Sequence, residues 1–300
     1  LVSCHVQLVD MGEYAKMNEV YGSFYEPGKF PARTTLQIAA LGGANRVEVS
    51  CTAYAGETEV VRPAEGSTPA AMGPYSPAVK AGKTVYVSGQ GGREPGTNAL
   101  APTAAGQTER TLKTIGAILD AAGLGMKNVA FSNVYYPEAS DWTQIEQAYK
   151  PALAEGSAPS LGAIHLAALP GGIKVEITFI AAADDYITRL YPAGAAADGL
   201  ASPASLTGGT LYLSSTTKPG ATLEEQMRAI MAEHEARLKL AGMTFAHVTN
   251  ANVYMADMGD FDAMNAVFRE YFGANPPART TVGVHFTQGE KLAIALTAVE

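Results

Sequence analysis

The stretch Phe30-Pro31-Ala32-Arg33-Thr34-Thr35, followed by an alternating segment and then Arg46-Val47-Glu48-Val49, decides how the rest of the chain is read. Near the other end, Pro276-Pro277-Ala278-Arg279-Thr280-Thr281 leads into Lys291-Leu292-Ala293-Ile294. Between them lies an altered copy, Ala158-Pro159-Ser160-Leu161-Gly162, followed by Lys174-Val175-Glu176-Ile177. A stretch that returns in this way makes the repeat the unit of interpretation.

Working outward, Asn18, Tyr21, Arg33 and Glu48 stand opposite Glu146, Tyr149, Leu161 and Glu176 at a constant offset of 128 positions. The third copy has Asn265, Phe268 and Arg279 at offsets of 247 or 246, and Ala293 takes the Glu48 position after a one-residue contraction of the loop. A front part occurs twice. One version is Gly73-Pro74-Tyr75-Ser76-Pro77 with Thr84-Val85-Tyr86-Val87-Ser88-Gly89-Gln90; the other is Gly199-Leu200-Ala201-Ser202-Pro203 with Thr210-Leu211-Tyr212-Leu213-Ser214-Ser215. The chain therefore reads as the back half of one unit at 1–58, a whole unit at 67–185 and a divergent whole unit at 199–300. Linkers are expected at Val60 to Pro69 and Asp184 to Ser202.

Lys83 to Gln90 is a β-rich run after Gly82 and predicts a strand. Thr108 to Ala122 puts Leu112, Ile115, Ile118 and Leu119 on one face and stops at Gly123, the pattern of an amphipathic helix. Leu223 to Ala241 repeats it, with Met227, Ile230, Met231 and Leu238 inward and Gly242 at the end. Val129 to Tyr136, His247 to Met255 and Leu1 to Val9 read as matching strands. A second helix holds Met17 to Tyr21 and its copies, and two strands close each unit. The class is α+β: a mixed sheet with two helices on one face, its other face buried against the neighbouring units.

Apolar residues make up 47% and charged residues 17%, a globular composition. No stretch approaches the roughly 18 consecutive apolar residues of a spanning helix. A net charge of -8 provides no basic footprint for nucleic acid. Cys4 and Cys51 are too few for a disulfide framework and are expected to be inert thiols in strands. With no signal-peptide pattern after Leu1, they point to a reducing, cytoplasmic setting.

These letters resemble the RidA family, also called YjgF or L-PSP. The resemblance rests on Gly-Pro-Tyr at 73–75, Ser-Gly-Gln at 88–90, Asn-x-x-Tyr at 18–21, Pro-Ala-Arg-Thr at 31–34 and 277–280, and the Val-Glu strands at 47–48 and 175–176. It implies a chorismate-mutase-like α+β fold and a trimeric barrel with clefts between subunits. Tandem units would mimic that trimer within one chain, or the chain would assemble as a homo-oligomer. It also implies hydrolysis of reactive 2-imino or enamine acids to 2-keto acids and ammonia, with no metal or organic cofactor. The expected partners are small carboxylates, with neither nucleic acid nor membrane.

Arg33 and Arg279 are the first site candidates, because a guanidinium is a charged planar fork that grips a carboxylate at two points. An ordinary surface ion pair is the plain alternative. Glu48 and Glu176 come next, since imine hydrolysis needs water addition at carbon and proton delivery to nitrogen. A Glu in an apolar strand costs stability unless it is paired or lines a cleft; the alternative is the solvated face of an edge strand. Tyr75, Ser88 and Gly89 supply a phenol, a hydroxyl and a backbone N–H to orient substrate and water. Asn18 and Asn265 match the family's helix Asn.

The copies are unequal. Leu161 and Glu146 disable the second unit's own Arg–Asn set, and the third unit has Ala293 and Ala201 where Glu and Tyr are expected. One intact site follows as the expectation: Arg33, Glu48 and Asn18 facing Tyr75, Ser88 and Gly89 from a neighbouring unit. Glu176 is a weaker candidate, and Arg279 with Asn265 would bind a carboxylate without turning it over. Losses at Leu161, Ala201 and Ala293 favour a competing reading, a degenerate small-carboxylate-binding or scaffold protein. An endoribonuclease is opposed by the acidic charge and the lack of a basic, aromatic stripe. The five histidines show no metal spacing; His165 and His285 are expected to pack or to face solvent, and Trp142 to pack at a helix start.

Overall fold

A computed structural model describes residues 1–153, 156–183, 186–195 and 197–300. The first part of the chain forms β1 (Ser3–Leu8), α1 (Tyr14–Gly22), β2 (Ala32–Gln37), β3 (Ala40–Leu41) and β4 (Val47–Thr52). The second forms β5 (Thr58–Val61), β6 (Ala78–Ala81), β7 (Thr84–Val87), β8 (Gln90–Gly91), α2 (Ala104–Ala121), β9 (Val129–Tyr136), α3 (Trp142–Tyr149), β10 (Ser160–His165) and β11 (Glu176–Ala182). The third forms β12 (Thr188–Leu190), β13 (Ala204–Thr207), β14 (Thr210–Thr216), α4 (Leu223–Leu240), β15 (Val248–Met255), α5 (Phe261–Phe272), β16 (Ala278–Gly283) and β17 (Leu292–Val299).

Local chemistry sets the helix limits. Thr103 caps α2 by accepting from the Gly106 N–H at 3.1 Å, and Thr222 caps α4 from Glu225 at 3.2 Å. Both helices stop before a glycine in the left-handed region, Gly123 at φ 73° and Gly242 at φ 71°. Leu112, Ile115, Ile118 and Leu119 of α2 are buried on the second sheet, as are Met227, Ile230, Met231 and Leu238 of α4 on the third.

The three sheets run β2-β1-β4, β10-β9-β11-β7-β6-β5 and β12-β13-β14-β17-β15-β16-β3, with β8 beside β11. In each, one pair is parallel: β1 with β2, β9 with β10, β15 with β16. The intervening helix makes that parallel return, and the other pairs are antiparallel, so the sheets are mixed and the fold class is α+β. The faces turned away from the helices meet. Leu36 and Ile38, Ile164 and Leu166, and Val282 and Val284 share one apolar cluster. Backbone contacts join every pair of units, Gln37 with Ala168, His165 with His285, and Ala39 with Gly283.

Several expectations are corrected. The stretches read as linkers carry edge strands β5 and β12, which add to the hairpins of the following unit because an edge strand presents unpaired N–H and C=O groups. Thr58, read as the end of the first unit, thus starts a strand of the second sheet. The boundary at 185 and the linker start at Asp184 lie outside the described residues. Lys83 to Gln90 is not one strand, because the chain breaks at Ser88-Gly89, where both N–H groups bond elsewhere, to Pro77 and Arg33. Finally, Cys4 and Cys51 are not free thiols. They face one another across the β1–β4 ladder and form a disulfide, so the reducing-compartment inference from cysteine usage falls.

One face of β4 is open. Val47 and Val49 are 47% and 48% exposed, whereas their counterparts Val175 and Ile177 are fully buried under α2. Among the described residues no helix is long and apolar enough to cross a membrane.

Candidate active site

Strand β2 carries Arg33 to the broken strand of the second unit, and hydrogen bonds fix it there. The Arg33 N–H donates to Ser88 Oγ at 2.8 Å, the Gly89 N–H donates to the Arg33 carbonyl at 3.0 Å, and Ser88 Oγ donates to the Ser76 carbonyl at 2.5 Å. Ser76 in turn bonds the carbonyls of Phe30 and Pro31. The roles expected of Ser88 and Gly89, hydroxyl and N–H aimed at substrate, are corrected here, since both groups are engaged by the Arg33 backbone. They position the arginine.

Arg33 is 3% exposed, and its guanidinium lies against three tyrosine rings, with Cζ at 5.8 Å from Tyr14, 5.0 Å from Tyr21 and 5.3 Å from Tyr75. Nη2 donates to the Tyr14 hydroxyl at 3.3 Å. Nη1, Asn18 Oδ1 and Thr35 Oγ1 are buried and have no hydrogen-bond partner among the described residues. A buried polar group left bare costs about 1–3 kcal/mol, so this corner is built to receive something. Asn18 and Arg33 close on Gly73 from the same side: a Cβ there would stand 2.6 Å from Nη2 and 3.0 Å from Asn18 Oδ1. The Tyr75 hydroxyl accepts from the Met72 N–H at 3.2 Å, which aims its ring at the guanidinium.

Glu176 enters the same cavity from β11, with Arg33, Thr35, Tyr75, Gly89 and Gln90 among its walls. Its carboxyl rests on Gly89 so closely that a Cβ would fall 1.9 Å from Oε1; this position needs glycine for space. Glu176 is 5% exposed. Burial pushes its pKa up to about 8, against smaller opposing pulls from Arg33 and a hydrogen bond with the Thr35 backbone. At neutral pH the cavity therefore holds a fixed cation beside a proton-bearing carboxyl.

Glu48 is elsewhere. It shares a separate cleft with Arg279, walled by Gly42, Gly43, Phe261 and Thr281. Burial raises its pKa, with Thr280 and Arg279 pulling the other way. Arg279 Nη2 donates to Asn265 Oδ1 at 2.7 Å, and its Cζ lies 4.6 Å from the Phe268 ring centre. The expected grouping of Arg33 with Glu48 is thus corrected. Within a unit, the Arg strand and the Glu strand flank the central strand on opposite sides, β2-β1-β4. An arginine therefore meets the closing strand of the next unit. Arg33 meets Glu176, Leu161 shares a cleft with Ala293, and Arg279 meets Glu48.

Tyr14, Thr35 and Gln90 line the cavity without being among the site residues expected from the sequence. For Tyr14 a signal existed, because Tyr14, Trp142 and Phe261 open their helices at the same repeat position, an aromatic each time.

The family described as Endoribonuclease L-PSP matches residues 1–55, 65–183 and 201–300. The 2-iminobutanoate/2-iminopropanoate deaminase of Mus musculus is 39% identical over 120 residues, 40% of this chain and 88% of that protein. The protein of the same name from Salmonella typhimurium is 32% identical over 117 residues, 38% of this chain and 91% of its own length. The crystal structure of RidA from an Antarctic Psychrobacter is 37% identical, covers 41% of this chain and 98% of that chain, and gives a TM-score of 0.39.

Proposed function

Because the chain belongs to the Endoribonuclease L-PSP family, we propose that its Arg33–Glu176 cleft hydrolyses 2-imino acids to 2-keto acids and ammonia. The observation that carries this reading is that the buried Arg33 Nη1, without a hydrogen-bond partner among the described residues, and the Glu176 carboxyl line one cavity. The named activity of the relatives agrees with it.

Arg33 takes the substrate carboxylate, and the tyrosine rings and the Ser88–Gly89 bonds keep the fork still. Glu176 then serves as acid and base in turn. As water oxygen bonds to C2, the imine π electrons move to nitrogen, which takes the Glu176 proton while the water's proton restores it. The C–N bond of the resulting carbinolamine then breaks: Glu176 protonates the departing amine, ammonia leaves, and the hydroxyl proton returns to Glu176. A carboxyl with a pKa of about 8 suits this alternation near neutral pH.

The test is the rate of 2-ketobutanoate formation from 2-iminobutanoate, generated from threonine by a dehydratase. Wild type should accelerate it over spontaneous hydrolysis and Arg33→Ala should not. No acceleration by wild type would overturn the reading and leave a carboxylate-binding protein.

A further inference from the structure

The cleft between the second and third units keeps the frame of the Arg33 cleft and has exchanged its chemistry. Leu161 stands in the place of Arg33, Ala293 in that of the Glu and Ala201 in that of Tyr75. The stitch is intact: the Leu161 N–H donates to Ser214 Oγ at 2.7 Å, and Ser214 Oγ donates to the Ser202 carbonyl at 2.6 Å, as Ser88 does for Arg33. The cleft keeps its frame although the arginine fork of the Arg33 cleft is replaced by Leu161.

Its walls are aromatic. Tyr136 packs with Trp142, with ring centres 5.1 Å apart, and with His165, at 5.4 Å with planes 5° apart. Burial lowers the His165 pKa, which disfavours a positive charge on that ring. Among the described residues the lining has no Lys or Arg and one carboxylate, Glu290. One Glu290 oxygen accepts from the Gln288 N–H at 2.9 Å. Glu290 and Tyr136 line the same cleft, and burial, then Glu290, raises the Tyr136 hydroxyl pKa. Rings with a negative neighbour attract a delocalised cation and repel an anion.

We propose that this cleft binds an aromatic cation, its ring against Trp142 and Tyr136 and its charge toward Glu290. The chain has one tryptophan, so Trp142 emission reports on this cleft. Benzamidine, benzamide and benzoate are nearly isosteric and carry positive, zero and negative charge. Benzamidine should shift the emission saturably and bind about tenfold tighter than benzamide, with benzoate weakest. Glu290→Gln should bring benzamidine to within about twofold of benzamide. Ala201→Phe fills the vacated space and should abolish the response. Equal binding of benzamidine and benzamide, preference for benzoate, no saturable response, or an unchanged response in Ala201→Phe would each overturn the proposal.

Discussion

Arg33 and Glu176 depend on each other in a way their replacements should expose. Arg33→Lys keeps the charge and loses the planar fork, so kcat/KM for 2-iminobutanoate should fall about 10- to 100-fold, the worth of one or two charged hydrogen bonds. Arg279→Lys should leave it unchanged. For Glu176, the folded pKa of about 8 lies above the unperturbed 4.5. The native state therefore holds a proton that the unfolded chain releases, and stability falls as pH rises from about 4.5 to about 8. Glu176→Gln removes that slope: melts between pH 5 and pH 9 should show the wild-type Tm declining across this window more steeply than the variant's. Activity should decline above the same pKa, as the acid form disappears. The types of these residues were legible in the sequence, since a fork and a carboxyl recur in the repeat. That Ser88 and Gly89 hold an arginine rather than a substrate was not, because their partner lies in another unit and leaves no local pattern.

Strands and helices were read best where the signal is local. Val129–Tyr136 matches its expected limits because alternation and flanking turns both sit within the segment. Helix α2 starts earlier than expected, at Ala104, since its start depends on the Thr103 cap rather than on apolar periodicity. The β1–β4 disulfide escaped because cysteine count says nothing about which strands are adjacent. The bridge spans a sequence separation of 47 and should stabilise the first unit by about 2–4 kcal/mol. Reductant should therefore lower the wild-type Tm by several degrees, while Cys51→Ser should start lower and be insensitive to it. A wild-type melt unmoved by reductant would show that the bridge contributes little. At the Ser88-Gly89 strand break, Gly89→Ala would drive a methyl into the Glu176 carboxyl; the expected outcome is folded protein with turnover reduced at least as far as in Arg33→Lys.

At the scale of the molecule, three similar units yield three unlike clefts. One pairs Arg33 with Glu176, one is aromatic, and one pairs Arg279 with Glu48 beside the uncovered edge of β4. The repeat gave the register inside each unit, but no periodicity states which unit faces which. That is why Glu48 was assigned to the wrong arginine. Strand order supplies the missing rule, sending Arg33 and Arg279 each to the next unit's closing strand. The most direct measurement is 2-iminobutanoate turnover by Glu176→Gln beside Glu48→Gln. Cyclic pairing predicts a loss of about 100-fold or more in Glu176→Gln and wild-type rates in Glu48→Gln. A rate lost in Glu48→Gln and kept in Glu176→Gln would contradict it.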